Sequence, residues 1–116
     1  MDLVEIKRIE AAMRRPKFLT RIFTDDEQPL VQKPEEAAGR WAVKEAMIKC
    51  VGYRIPWRTM EVLRDRYGKP VARVLIDIGR GPVEFHVSIT HDAGLAVAFA
   101  VMERGNPTAA QTFQSN

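Results

Sequence analysis

The sequence predicts an α+β fold in which an antiparallel sheet packs with a long central helix. Three observations carry this. A stretch rich in Ala, Glu, Lys and Met runs from Glu35 to Val51 and is stopped by Gly52. Val83, Phe85, Val87 and Ile89 alternate with Glu84, His86, Ser88 and Thr90, the pattern of a half-buried strand. Leu95 to Met102 is almost continuously apolar, as a strand covered on both faces would be. At 116 residues and 46% hydrophobic content, the chain suits a single domain with a real core.

In chain order, Leu3 to Met13 is predicted as a helix, because Ile6, Ile9 and Met13 form one apolar stripe and Pro16 ends it. Phe18, Leu19, Ile22 and Phe23 make a second short amphipathic turn. Thr24, Asp25, Asp26 and Glu27 have the spacing of a capping box. Pro29 follows too closely for a long helix, so one turn and then a loop through Pro34 are predicted. After the central helix, Thr59–Arg64 and Val71–Ile76 read as two strands joined by a turn at 65–70. Gly79–Pro82 breaks the chain, and His91–Gly94 reads as a turn between the last two strands. The domain is predicted to span residues 1–104, with residues 105–116 a polar, disordered tail.

Composition excludes some functions. No apolar run is long enough to span a bilayer, and the first residues lack a signal-peptide core. The single cysteine, Cys50, excludes an internal disulfide framework and fits a reducing compartment. The net charge of +3 is concentrated. Residues 1–23 carry Lys7, Arg8, Arg14, Arg15, Lys17 and Arg21 against Asp2, Glu5 and Glu10. Such a patch implies an anionic partner or a solvated helix face. A small basic nucleic-acid-binding domain is the remote reading, since no motif for one is present.

The central helix is unusual. At about 100° per residue, Val43, Met47, Cys50 and Val51 occupy one apolar arc, extended by Trp41 and Ile48, and Arg40 and Lys44 fall inside it. Buried charges need partners. By spacing alone, the pairs Glu45–Lys49 and Glu36–Arg40 would be ordinary helical contacts.

The stretch GRWAVKEAMIK resembles the signature helix of the 4′-phosphopantetheinyl transferases. Asp2-Leu3-Val4-Glu5-Ile6 followed by Lys7-Arg8-Ile9 resembles that family's N-terminal segment. Val87-Ser88-Ile89-Thr90-His91 resembles its late strand, and residues 18–24 and Tyr67-Gly68-Lys69-Pro70 also fit. The resemblance covers residues 2 to about 103. The short length points to the holo-acyl-carrier-protein synthase branch.

The resemblance implies a small homotrimeric fold with sites between subunits. It implies transfer of 4′-phosphopantetheine from coenzyme A to a serine of an apo acyl carrier protein, with Mg²⁺ as cofactor and adenosine 3′,5′-bisphosphate released. A role in fatty acid biosynthesis follows from that. By the same resemblance Asp2 and Glu45 are the metal ligands, and Glu45 and Lys44 the catalytic residues. Lys44 would touch the pyrophosphate or help deprotonate the serine; a water bound by the metal or by Glu45 is an equal candidate for the base. Arg40, Lys44, Lys49, Gly52, Gly68, Lys69, Pro70, Ser88 and His91 would bind coenzyme A, with the turn at 68–70 reaching a neighbouring protomer's adenosine. Arg8, Arg15 and Arg21, with Met13 and Phe18, would hold the acidic carrier protein. Taken singly, Asp2 would be a helix N-cap, His91 an exposed turn histidine, and residues 68–70 a plain hairpin.

Three departures stand out. The strand and glycine that usually precede the metal-binding Asp are missing, so the strand is either lost or lies upstream. Gly52-Tyr53-Arg54-Ile55-Pro56-Trp57 stands in place of a glycine-rich loop, and the helix before the last two strands is reduced to a turn. The first departure raises a second reading, an impaired relative that binds coenzyme A or carrier protein without turnover. The compartment implied is the cytoplasm, or the mitochondrion if an upstream targeting peptide has been removed.

Overall fold

In the computed structural model, which describes residues 1–105, the elements follow in this order. They are β1 (Asp2–Glu5), α1 (Ile6–Met13), α2 (Phe18–Ile22), α3 (Pro34–Val51), β2 (Met60–Arg64), β3 (Pro70–Val74), β4 (Val83–Asp92) and β5 (Leu95–Arg104). Short 3₁₀ turns at Gln28–Leu30 and Trp57–Thr59 lead into α3 and β2. Two antiparallel sheets form, one ordered β1-β5-β4 and the other the β2-β3 hairpin. Helix α3 lies across them, and the core gathers Val43, Met47 and Val51 with Val4, Phe23, Met60, Val62, Ala96 and Ala98. The predicted α+β class and long central helix are both present. Residues 106–116 of the expected tail lie outside the described residues, while the Gly105 N–H donates to Pro82 O at 2.8 Å.

The N-terminus departs from its local pattern. Instead of starting a helix at Leu3, residues 2–5 form β1, pairing Asp2 with Ala98 and Glu5 with Leu95. The edge of β5 leaves a row of backbone groups to be satisfied, and β1 satisfies them. Val4 is buried while Leu3 and Glu5 face out, the alternation a strand requires. Helix α1 starts only at Ile6, whose N–H donates to Gly94 O. The N-terminal strand thus begins at Asp2 itself.

The last hairpin is tighter than predicted. His91 and Asp92 belong to β4, and the turn is only Ala93-Gly94. Both have positive φ, 51° and 79°, as a two-residue turn matched to strand twist demands. His91 is thereby held in register opposite Ala96.

The capping box at 24–27 forms reciprocally: Thr24 N–H donates to Glu27 Oε1, and Glu27 N–H to Thr24 Oγ1. Glu27 is fully buried and does more than cap. Its Oε1 lies 2.6 Å from Lys44 Nζ, and its Oε2 accepts the Val62 N–H at 2.8 Å. Lys44 Nζ also donates to Ile22 O at 2.8 Å and Trp57 O at 3.2 Å. Neither side chain reaches solvent. Next to them, Glu61 accepts from Thr24 Oγ1 and from the guanidinium of Arg73. Among the described residues no buried side-chain polar atom lacks a partner.

Removing one member of such a pair leaves a buried charge uncompensated. Lys44→Met should cost about 3–5 kcal/mol of unfolding free energy in urea titration. Because the two groups share one interaction, Glu27→Gln with Lys44→Met should cost clearly less than the sum of the two single changes. Strict additivity would overturn the pairing.

Candidate active site

The β1 register carries Asp2 over the C-terminal half of α3. There Lys49 Nζ donates to Asp2 Oδ1 at 2.7 Å and to the Met1 carbonyl at 3.3 Å. One turn earlier on the same face stands Glu45, its side chain mostly covered, with Arg54 Nη1 3.3 Å from Oε1. The hydrogen bond and charge of Asp2, with a smaller contribution from Glu45, raise the Lys49 pKa above its ordinary value. Asp2, Glu45 and Lys49 form one patch with two carboxylates. The simple Glu45–Lys49 helix pair is not the contact formed, because each group has found a partner from another element.

A second feature lies across α3. Glu36, Gly39, Arg40, Arg64, Gly68, Pro70, Ile89 and His91 line a cleft of about 230 Å³. Arg40 Nε donates to Val62 O at 2.9 Å, which fixes the guanidinium at the cleft wall. Burial lowers its pKa, partly offset by Glu27. His91 Nε2 lies 2.9 Å from Glu35 O, so that nitrogen carries the proton. Gly39 is needed for this approach: a Cβ there would lie 3.0 Å from Ile89 Cγ2 and 3.2 Å from His91 Nε2. Glu36 bonds the Lys33 N–H instead of Arg40, so this helical pair is not formed either. Gly68, with φ of 83°, closes the turn that brings Pro70 to the cleft, held by Asp65 Oδ1 accepting from Tyr67 and Lys69 N–H.

Four predicted residues stand elsewhere. Lys44 was expected to touch phosphate or act as a base, and this is corrected. Its ammonium is wholly buried and bonded to three oxygens, so no substrate atom can reach it. Burial depresses its pKa, and the charge and hydrogen bond of Glu27 push back. Ser88 points to the outer sheet face, opposite to Ile89 and His91, because strand side chains alternate, and so stands outside this chain's own cleft. Lys69 lines a neighbouring depression with Phe85 and Val87 rather than the cleft. Gly52 caps α3 in the left-handed conformation, φ 91°, beside Arg80.

On the N-terminal face, Arg8, Arg15 and Arg21 are exposed, while Met13 and Phe18 are partly buried against the core. The sequence reading missed Glu27, Arg54 and Arg64. Glu27 left a trace in its capping box, but its partner is 17 residues away.

Comparison with known proteins gives these features a setting. The family model of the 4′-phosphopantetheinyl transferase superfamily matches residues 1–100. A holo-[acyl-carrier-protein] synthase of Halalkalibacterium halodurans is 37% identical, covering 90% of this chain and 92% of its own. One from Clavibacter michiganensis is 39% identical, covering 92% and 95%. The fold is similar to the Helicobacter pylori holo-[acyl-carrier-protein] synthase in complex with coenzyme A, at TM-score 0.80 and 28% identity, covering 88% of this chain and 96% of that one. A Bacillus anthracis synthase in complex with coenzyme A (3′,5′-ADP) superimposes at TM-score 0.76 with 32% identity, covering 90% and 93%.

The Lys49 assignment can be checked directly. Asp2→Asn removes the bond that raises the ammonium pKa, so the Lys49 ¹³Cε titration should move down toward the ordinary lysine value of about 10.4. An unmoved titration would show that Asp2 and Lys49 are not paired in solution.

Proposed function

The chain belongs to the 4′-phosphopantetheinyl transferase superfamily, and we propose from that premise how its own residues serve a holo-acyl-carrier-protein synthase. The activity transfers 4′-phosphopantetheine from coenzyme A to a serine of an apo acyl carrier protein. The observation that carries the residue assignment is the Asp2–Lys49–Glu45 patch, assembled from a strand and a helix 47 residues apart at the Asp2–Lys49 contact.

Asp2 and Glu45 supply hard carboxylate oxygens on one surface, a donor set suited to Mg²⁺, which takes few protein carboxylates and fills its shell with phosphate oxygens and water. When bound, the ion neutralises charge on the transferring phosphate. Lys49 holds a second positive charge beside that phosphate. The serine Oγ attacks the phosphorus that bears pantetheine. The bond from that phosphorus to the bridging oxygen breaks, and adenosine 3′,5′-bisphosphate leaves with the electron pair. With Lys44 bonded to three oxygens in the core, the serine proton would pass to a water that Glu45 holds. Positioning and charge neutralisation carry most of such a reaction.

The cleft offers Arg40 and His91 to the 3′-phosphate and the turn at Gly68–Pro70 to the adenosine. At about 100° per residue, Glu45 stands on the opposite side of α3 from Glu36, roughly 13 Å along the axis. One chain therefore presents two half-sites facing apart. That supports a homotrimer with each site built between protomers. Exposed Leu3, Phe99 and Val101 on the outer sheet face supply an apolar surface for a neighbour. The basic face of α1 and α2, with Arg8, Arg15 and Arg21, suits an acidic carrier protein. Among the described residues no helix is long and apolar enough to cross a membrane.

The test incubates the protein with apo carrier protein, coenzyme A and Mg²⁺ and reads the carrier mass. Addition of phosphopantetheine is expected, and chelation should stop it. Glu45→Gln should lower kcat by at least about a hundredfold with an unchanged melting curve. His91→Ala should instead raise KM for coenzyme A about tenfold, the loss of one charge-assisted hydrogen bond. Normal turnover by Glu45→Gln would refute the assignment of the ion ligands.

A further inference from the structure

Arg54 lies in the loop after α3, in the segment Gly52–Trp57. Three contacts define its place. Its Nη1 is 3.3 Å from Glu45 Oε1. Its Cζ lies over the Trp57 ring, 5.6 Å from the centroid. Trp57 in turn stacks on Trp41, with centroids 5.8 Å apart and planes 28° off parallel. Trp41 is on α3, one turn before Glu45. The guanidinium thus rests on an aromatic shelf beside the carboxylate patch, rather than hanging free in solvent.

The patch holds two carboxylates, and each has a cation: Asp2 has Lys49 and Glu45 has Arg54. A divalent ion cannot take the Glu45 oxygen that faces Arg54 while the guanidinium stays there. The two cations are not equally easy to move. The Lys49 contact is 2.7 Å and is reinforced by the Met1 carbonyl. Both cations are more than half exposed, at 59% for Lys49 and 64% for Arg54, but the Arg54 contact is longer and has no second acceptor on Glu45's side, so it is the weaker of the two. Stacking on Trp57 would keep a displaced guanidinium nearby, since Arg packs on aromatic faces. Its forked donors match two oxygens of one phosphate.

We propose that Arg54 is an exchangeable partner, which covers Glu45 and then moves to a phosphate of coenzyme A as the carboxylate takes the divalent ion. The inference rests on Glu45 being an ion ligand. Arg54 then opposes the ion when substrate is absent and assists substrate when both are present. No supporting role in folding has that pair of opposite signs.

The experiment measures Mn²⁺ binding alone, by loss of the free-ion electron paramagnetic resonance signal, and KM for coenzyme A separately. The proteins are the wild type, Arg54→Ala and Glu45→Gln. Arg54→Ala should tighten Mn²⁺ binding about twofold to fivefold, the worth of a part-exposed ion pair. It should raise KM for coenzyme A at least about tenfold, the worth of a hydrogen bond to a charged group. Arg54→Ala that weakens both, or leaves either unchanged, overturns the proposal while Glu45 remains an ion ligand. Glu45→Gln that binds Mn²⁺ like the wild type overturns the reading of Glu45 itself, whatever Arg54 does.

Discussion

The buried pair of Glu27 and Lys44 is the constraint on which the rest of the molecule depends. Helix α3 is covered on most of its circumference, from Ala37 and Ala38 through Val43 and Met47 to Val51. Such a helix has no strongly preferred apolar face, so side-chain burial alone would tolerate rotation about its axis. Lys44 removes that freedom. Its ammonium meets Glu27 and two backbone carbonyls, and a rotation of one residue would orphan all of them. Arg40, bonded to Val62 O, fixes the same phase one turn earlier. The phase in turn decides which side chains of α3 face the outside.

With the phase set, α3 acts as a beam with a different surface at each end. Gly39 and Arg40 face β4 and the β2-β3 turn, where His91 and Pro70 complete the cleft. Glu45 and Lys49 face β1 and the Arg54 loop. Glu27 also links the layers, because its second oxygen takes the Val62 N–H and so ties β2, the wall of the cleft, to the helix.

Much of this could be read from residue order, for stated reasons. The β4 alternation was legible because sheet burial repeats every second residue. The central helix was legible because Gly52 stops it and its composition favours helix. What escaped depended on contacts between distant segments. Residues 2–5 look helical locally, and only the free edge of β5 makes them a strand. Lys44 looked chemical because it sits in a signature motif, yet its partner lies 17 residues away on another element. Ser88 belonged to a matching motif, but pleating turns it from His91, three residues on. Arg54 matched nothing, since its position is set by an aromatic pair rather than by spacing.

Lys44 and Lys49 make the physical lesson sharpest. They are the same residue type, five positions apart on one helix, and so separated by about 140° around its axis. One turns inward, where burial lowers its pKa and three fixed oxygens consume its donors. The other turns outward, where Asp2 raises its pKa. A lysine that must hold the fold cannot release its proton or follow a substrate, because either act would strip Glu27 of its partner inside the core. A lysine at the surface has water at hand to compensate any bond that is broken. The contrast between the two lysines therefore follows from the direction in which each ammonium points, and that direction is set by Glu27, buried in the core.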